Sequence, residues 1–227
     1  MNEPEQRKES WERLQWGVVV LAILIFSILI LPTWNMIADV SAQTSAASNC
    51  RQIIMALRIW ANDNKGVFPD EGTPAPTSSN QAFRKLIQCG LIQNEAIFGN
   101  VGSPFLPDNE LGGAPGYPRA LEPGENHWAM MAGLRIDNNG TLPLIFESTA
   151  SSQWPSEWFE NTNPPVRGRT WQTKKYIVGC LDNSVHVGQL VEDRGLLNFS
   201  SSLRQLFNQG NQCLMQPPRI LDIEENK

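Results

Sequence analysis

Two histidines, His127 and His186, are all the imidazole this chain carries, and one of them lies where chemistry could be assembled: Cys180-Leu181-Asp182-Asn183-Ser184-Val185-His186. A nucleophile (Ser184 or Cys180), a base (His186) and an orienting carboxylate (Asp182 or Glu147) would make a hydrolase if the three converged in space. The same residues read equally as a hairpin turn with ordinary polar side chains, and that reading is adopted. His127, next to Trp128, reads as a strand-end residue in preference to a ligand. No GxSxG, HExxH, GxxxxGK[ST] or GxGxxG occurs. No catalytic residue is assigned, and an enzyme is not expected.

Oxygen-rich segments are the next chemical signal. Asp137-Asn138-Asn139-Gly140 and Asp108-Asn109-Glu110 supply donors of the kind a hard cation takes, but neither has EF-hand spacing with a closing glutamate. Both read as turns; no cofactor is expected, calcium is the alternative, and no metal ligand is assigned. Cys50, Cys89, Cys180 and Cys213 show no CxxC or Cys/His cluster, which argues against zinc. Cys50 is expected unpaired on an exposed helix, with at most one bridge among the other three. Trp154, Trp158 and Trp171 read as the core of a small sheet, a binding surface being the alternative. A net charge of −5 with no clustered Lys and Arg excludes a phosphate-tracking surface, so no nucleic-acid partner is expected.

Elements must position these residues. Trp16 to Ala38 is twenty-three residues without a charge, the length a membrane-spanning helix requires, with Trp16 and Trp34 at its ends, Leu21, Phe26 and Leu31 within it, and Pro32 as a kink. Arg7, Lys8 and Arg13 precede it and no basic residue follows until Arg51, which predicts a cytoplasmic N-terminus (1–15), a transmembrane part (16–38) and a head on the periplasmic or extracellular side. The helix is expected to continue as an amphipathic stalk (39–66) that packs through Ile53, Leu57 and Trp60 and closes at Gly66. From Trp16 to Asn62 that is about 70 Å of helix.

The remaining 161 residues suit one head domain (67–215) and a loosely held tail (216–227). Ser79 or Asn80 is expected to cap a short helix with Phe83, Leu86 and Ile87 on one side, ending at Gly90. Six glycines and five prolines between Gly99 and Asn126 predict a long irregular excursion. Strands are expected at His127–Met131, Leu142–Ser148, Lys175–Leu181 and Val185–Leu190, and a short helix at Ser200–Asn208. The fold class is α+β: a long N-terminal transmembrane-plus-stalk helix on a small antiparallel sheet.

This order resembles that of the type IV pilins and type II secretion pseudopilins. Residues 49–70, NCRQIIMALRIWANDNKGVFPD, are similar to the stalk ending N-x-x-Q-I-x-x-A-L-x-x-Y-A-x-D-x-x-G-x-x-P-D of a group of pseudopilin-like proteins, and Asp182-Asn183-Ser184-Val185-His186 to that group's DGSVH. The resemblance implies a non-catalytic, membrane-anchored structural subunit whose partners are other pilin-like subunits, the membrane and an inner-membrane assembly platform. It also implies that calcium in a head-domain loop has precedent. Aligned on Pro32, the family's processing site falls on Ser10, Trp11 and Gln15, where glycine, an aromatic residue and glutamate are usual; two of these are altered, so the leader is expected to stay uncleaved. The alternative is a stand-alone membrane-anchored, adhesin-like domain that binds a ligand through the 99–126 loop.

Overall fold

The structure, a computed structural model, describes residues 3–152, 157–159, 165–171, 174–193, 196–198 and 219–225. The chain divides into two units, Met1–Ser41 and Ala42–Lys227. Helix α1 is Glu3–Asp63, the first unit holding its N-terminal part.

In the first unit the described side chains of the uncharged run, those of 16–28 and 37–38, are all exposed. Among the described residues no helix is long and apolar enough to cross a membrane. The expected transmembrane part at 16–38 is therefore corrected, and with it the single-pass inner-membrane localisation and a fold class built on a transmembrane-plus-stalk helix. Trp16, Leu21 and Phe26 are exposed on α1, while the side chains of Leu31, Pro32 and Trp34 lie outside the described residues.

The second unit is α+β. Its five-stranded antiparallel sheet comprises β1 (Trp128–Ala132), β2 (Pro143–Glu147), β4 (Lys175–Cys180), β5 (Val185–Gln189) and β8 (Arg219–Leu221), in the order β5-β4-β2-β1-β8. A second sheet joins β3 (Glu157–Trp158), β7 (Leu196–Asn198) and β6 (Val191–Asp193) in that order. Four of the larger sheet's strands lie where short apolar runs bounded by turn residues predict them. The fifth does not: β8 falls in the expected loose tail, yet Leu221 pairs with Met130 and is buried. The predicted helix at Ser200–Asn208 lies outside the described residues.

From Ala42 onward α1 supplies core. Ile53 and Leu57 are fully buried and Trp60 partly so, as helical spacing requires, and Cys50, Ile54 and Ala61 join them. Gly179 on β4 explains the closeness of the packing. A Cβ built there would stand 2.1 Å from Ile54 Cδ1 and 2.6 Å from Cys50 Sγ, so only glycine leaves room for the helix. After Asp63 the backbone turns through Lys65 (φ 58°) and Gly66 (φ 82°), and Gly66 donates its N–H to the Ala61 carbonyl at 2.7 Å. Arg58 joins the helix to the sheet as well: its guanidinium donates to the Leu181 carbonyl.

Helix α2 (Ser79–Gln88) is capped one residue earlier than expected, by Ser78, whose hydroxyl accepts the Gln81 N–H. It buries Phe83, Leu86 and Ile87, and Phe83 stacks on Phe98 of the 3₁₀ turn Glu95–Phe98 with centroids 5.2 Å apart. The C-terminal segment straps α2 in place: Ser79 N donates to the Asp222 carbonyl at 2.8 Å, and Ser78 and Gln81 donate to Glu224.

Candidate functional site

The turn between β4 and β5 brings Asp182, Ser184 and His186 together, but in an order that disables them. Asp182 Oδ1 accepts from Ser184 Oγ at 2.6 Å and from Ser184 N at 2.9 Å; His186 Nε2 lies 3.1 Å from Ser184 Oγ. Those Ser184 donors hold the Asp182 carboxyl below its usual range. The single hydroxyl proton points at the carboxylate, so the imidazole must donate to the serine oxygen and cannot serve as its base. Cys180 is a buried thiol pushed up by burial, the opposite of an activated nucleophile. Glu147, the other candidate carboxylate, is elsewhere.

It belongs to a constellation that motif reading missed. Trp128 and Glu147 are paired across β1 and β2, which sets His127 and Glu147 side by side at one end of the sheet. His127 Nε2 lies 3.3 Å from Glu147 Oε1, and His127 Nδ1 lies 2.8 Å from Ser103 Oγ in the long loop. Trp171 Nε1 donates to both Glu147 oxygens at 3.0 and 3.1 Å, Ile177 N donates at 2.8 Å, and Asn100 Nδ2 at 3.2 Å. With Nε2 donating to the carboxylate and Nδ1 accepting the Ser103 hydroxyl proton, the row has the connectivity of a serine–histidine–carboxylate relay. All three residues are buried, and Ser103 Oγ also accepts the Phe105 N–H. A relay needs substrate at its serine, whereas here every polar group is spent on fastening loop 100–105 and Trp171 to the sheet. No local motif announces it, since Ser103, His127 and Glu147 come from a loop and two strand ends.

The two calcium alternatives part company. In 137–140 the side chains serve their own turn: Asn138 Oδ1 accepts Arg135 N at 2.7 Å, and Asn139 Oδ1 accepts Thr141 N at 3.1 Å. Asp108, by contrast, is brought to Glu95 and Glu125, with one ligand oxygen from each residue within 4.8 Å of the others. Burial pushes Glu125 up to about 6 and raises Glu95 as well.

Trp158 and Trp171 are buried, and Trp158 lies 5.5 Å from Tyr176, which places these two indoles in the core; Trp154 lies outside the described residues. Cys50, Cys89 and Cys180 are free. The exposed position expected for Cys50 is corrected: it is fully buried, because Gly179 lets that face of α1 press on β4. Cys213 lies outside the described residues. Of the expected processing residues, Trp11 and Gln15 are exposed on α1 and the side chain of Ser10 is not among those described.

Two grooves flank α1 within the second unit. One, of about 330 Å³, is lined by Gln52, Met55, Ala56 and Ile59 with Leu91 and Ile97; the other, of about 210 Å³, by Ala42, Ser45, Ala46 and Asn49 with Val101 and Leu106. Neither presents a charged side chain. On α1 of the first unit, the apolar side chains between Trp16 (70% exposed) and Ile28 (70%) stand open, Phe26 among them at 66%. No protein-family model, no curated protein and no solved structure matches this chain.

Proposed function

We propose that the chain is a non-catalytic structural subunit of the pilin-like kind, which associates with similar subunits through helix α1. One observation carries this reading: the uncharged run of α1 exposes Val18, Leu21, Ile23, Leu24, Ile25 and Phe26, each more than half accessible. Contiguous apolar surface of this kind marks an interaction site, and burying one such side chain stabilises a complex by roughly 1.5 to 3 kcal/mol. Helix against helix is the packing such a surface allows, ridges of one entering grooves of the other. The buried state of Ser103, His127 and Glu147, and the reversed order at Ser184, support the non-catalytic part.

Sedimentation velocity on the full chain tests it. The wild type is expected to sediment as concentration-dependent oligomers, and Phe26→Glu or Leu21→Glu to return it toward the monomer. A wild type that stays monomeric to high micromolar concentration would sink the reading. So would a pair of glutamate variants that oligomerise as the wild type does.

A further inference from the structure

The turn that precedes β2 carries a pair of residues with chemistry of its own. Asn139 is followed by Gly140, the one Asn-Gly step in the chain. The side-chain carbonyl carbon of an asparagine and the main-chain nitrogen of the next residue can close a small ring, and a glycine, lacking Cβ, leaves that nitrogen unhindered. Asn139 and Thr141 are both exposed, so water reaches the step.

Hydrogen bonds fix how the amide is presented. Thr141 N donates to Asn139 Oδ1 at 3.1 Å, and Thr141 Oγ1 donates to the same oxygen at 3.0 Å, an Asx turn reinforced by a hydroxyl. This folds the side chain back over the Gly140 peptide. Two donors on Oδ1 also draw electron density from Cγ, as donors do when they are aimed at an oxygen on which negative charge will develop. The main chain is held as well: Leu142 N donates to the Asn139 carbonyl at 3.0 Å and Asp182 N to the Gly140 carbonyl at 2.9 Å. Among the described residues no hydrogen bond engages Gly140 N or Asn139 Nδ2, so the attacking and leaving nitrogens are both free. Asn183 in the β4–β5 turn differs on this point. The nitrogen that would attack it, Ser184 N, donates to Asp182 Oδ1 at 2.9 Å.

We propose that Asn139 is a self-modifying site, at which the folded turn converts the asparagine to aspartate and isoaspartate. Gly140 N gives up its proton to water or hydroxide and attacks Asn139 Cγ. The new N–Cγ bond replaces the Cγ–Nδ2 bond, and Nδ2 leaves with a proton as ammonia. Water then opens the succinimide at Cγ, giving aspartate, or at the main-chain carbonyl carbon, giving isoaspartate, and the proton returns to Gly140 N. Nothing is oxidised or reduced. The products place a new carboxylate beside Asp137, and isoaspartate inserts a methylene into the main chain ahead of Gly140. That shifts the Gly140 carbonyl away from Asp182 N, so the turn loses its tie to the β4–β5 turn. The site is independent of the assembly reading above.

The full chain is aged in mildly alkaline buffer, and peptide mapping locates each converted asparagine and separates the two products. Asn139 should convert at least tenfold faster than Asn183, at a rate that rises with pH. The folded chain should react at least as fast as the same chain in urea, because the turn presents the amide. Aged protein should melt about 2 to 4 °C lower than fresh protein. Gly140→Ala should slow conversion at least tenfold. A Cβ there would stand 3.0 Å from Asp182 Cβ and could disturb the turn, so Thr141→Val, which keeps the side chain's shape and removes its hydroxyl donor, is the second probe and should slow it at least threefold. An Asn139 that stays intact in the folded chain while converting in urea would overturn the proposal. So would a Thr141→Val chain that converts at the wild-type rate.

Discussion

Leu57 and Arg51 sit six residues apart on α1 and should behave as opposites. Leu57 is fully buried, and truncating such a side chain costs roughly 2 to 5 kcal/mol from lost transfer energy and the cavity left behind. Arg51 is exposed, and its replacement should stay within about 0.5 kcal/mol. Urea melts of Leu57→Ala and Arg51→Ala check this, and equal midpoints would refute the packing. Alongside Glu95, which burial shifts the same way, Glu125 contributes to the pH dependence. Its folded carboxyl holds a proton up to about pH 6, above the ordinary value of 4.5 that the unfolded chain keeps. Between those values the native state binds more protons than the unfolded one, so this group's contribution falls as pH rises from 4.5 to 6. Glu125→Gln should remove part of the wild-type decline in Tm across that window. An unchanged slope would show that Glu125 titrates normally. Ile53, Leu57 and Trp60 were legible in the sequence because helical periodicity reports a buried face directly. The Ser103–His127–Glu147 row and the meeting of Glu95, Asp108 and Glu125 were not, since each depends on side chains that strand register and loop path bring together.

At the scale of elements, β1, β2, β4 and β5 were readable from apolar runs between turn residues, and α2 from its one-sided Phe83, Leu86 and Ile87. β8 escaped because three residues after a proline pair, at the end of a polar stretch, carry too little pattern to announce a strand. Its pairing with β1, the burial of Leu221 and the bonds from Asp222 and Glu224 to α2 make it structural. Arg167 adds a tie by donating to the Asp222 and Glu225 carboxylates. Removing residues 216–227 should therefore lower Tm by more than 10 °C or prevent folding, since it strips a sheet edge and the strap over α2 in one step. Hydrogen exchange offers a finer reading: in Leu221→Asp, amides of Met130 and Ala132 should lose protection while those of β5 keep theirs. Uniform protection in both would mean that β8 is not integral to the sheet.

For the whole molecule, length misled more than pattern did. An uncharged run of twenty-three residues predicts a membrane span by counting, but among the described residues no helix is long and apolar enough to cross one. What remains is an exposed apolar surface without charge, and its absence of charge fixes how association should respond to salt. Ion-pair interfaces weaken as the Debye length shrinks from about 14 Å at 0.05 M to about 4 Å at 0.5 M, whereas apolar ones do not. Oligomers of the full chain should hold or tighten over that range when followed by light scattering. Dissociation at high salt would point instead to the charged residues of the head.

The place of β8 also governs when the sheet can be completed. Met130 and Leu221, partners across β1 and β8, lie 91 residues apart, a longer closure than any other strand pairing of the larger sheet. Non-local pairings of this kind are slow, and β1 can gain its second neighbour only after residue 221 has left the ribosome. Until then one side of β1 offers unpaired N–H and C=O groups. During synthesis the protein thus passes through a stage in which a strand that ends deep in the core is an edge, which is when a nascent-chain chaperone, or a neighbouring nascent copy, would find it.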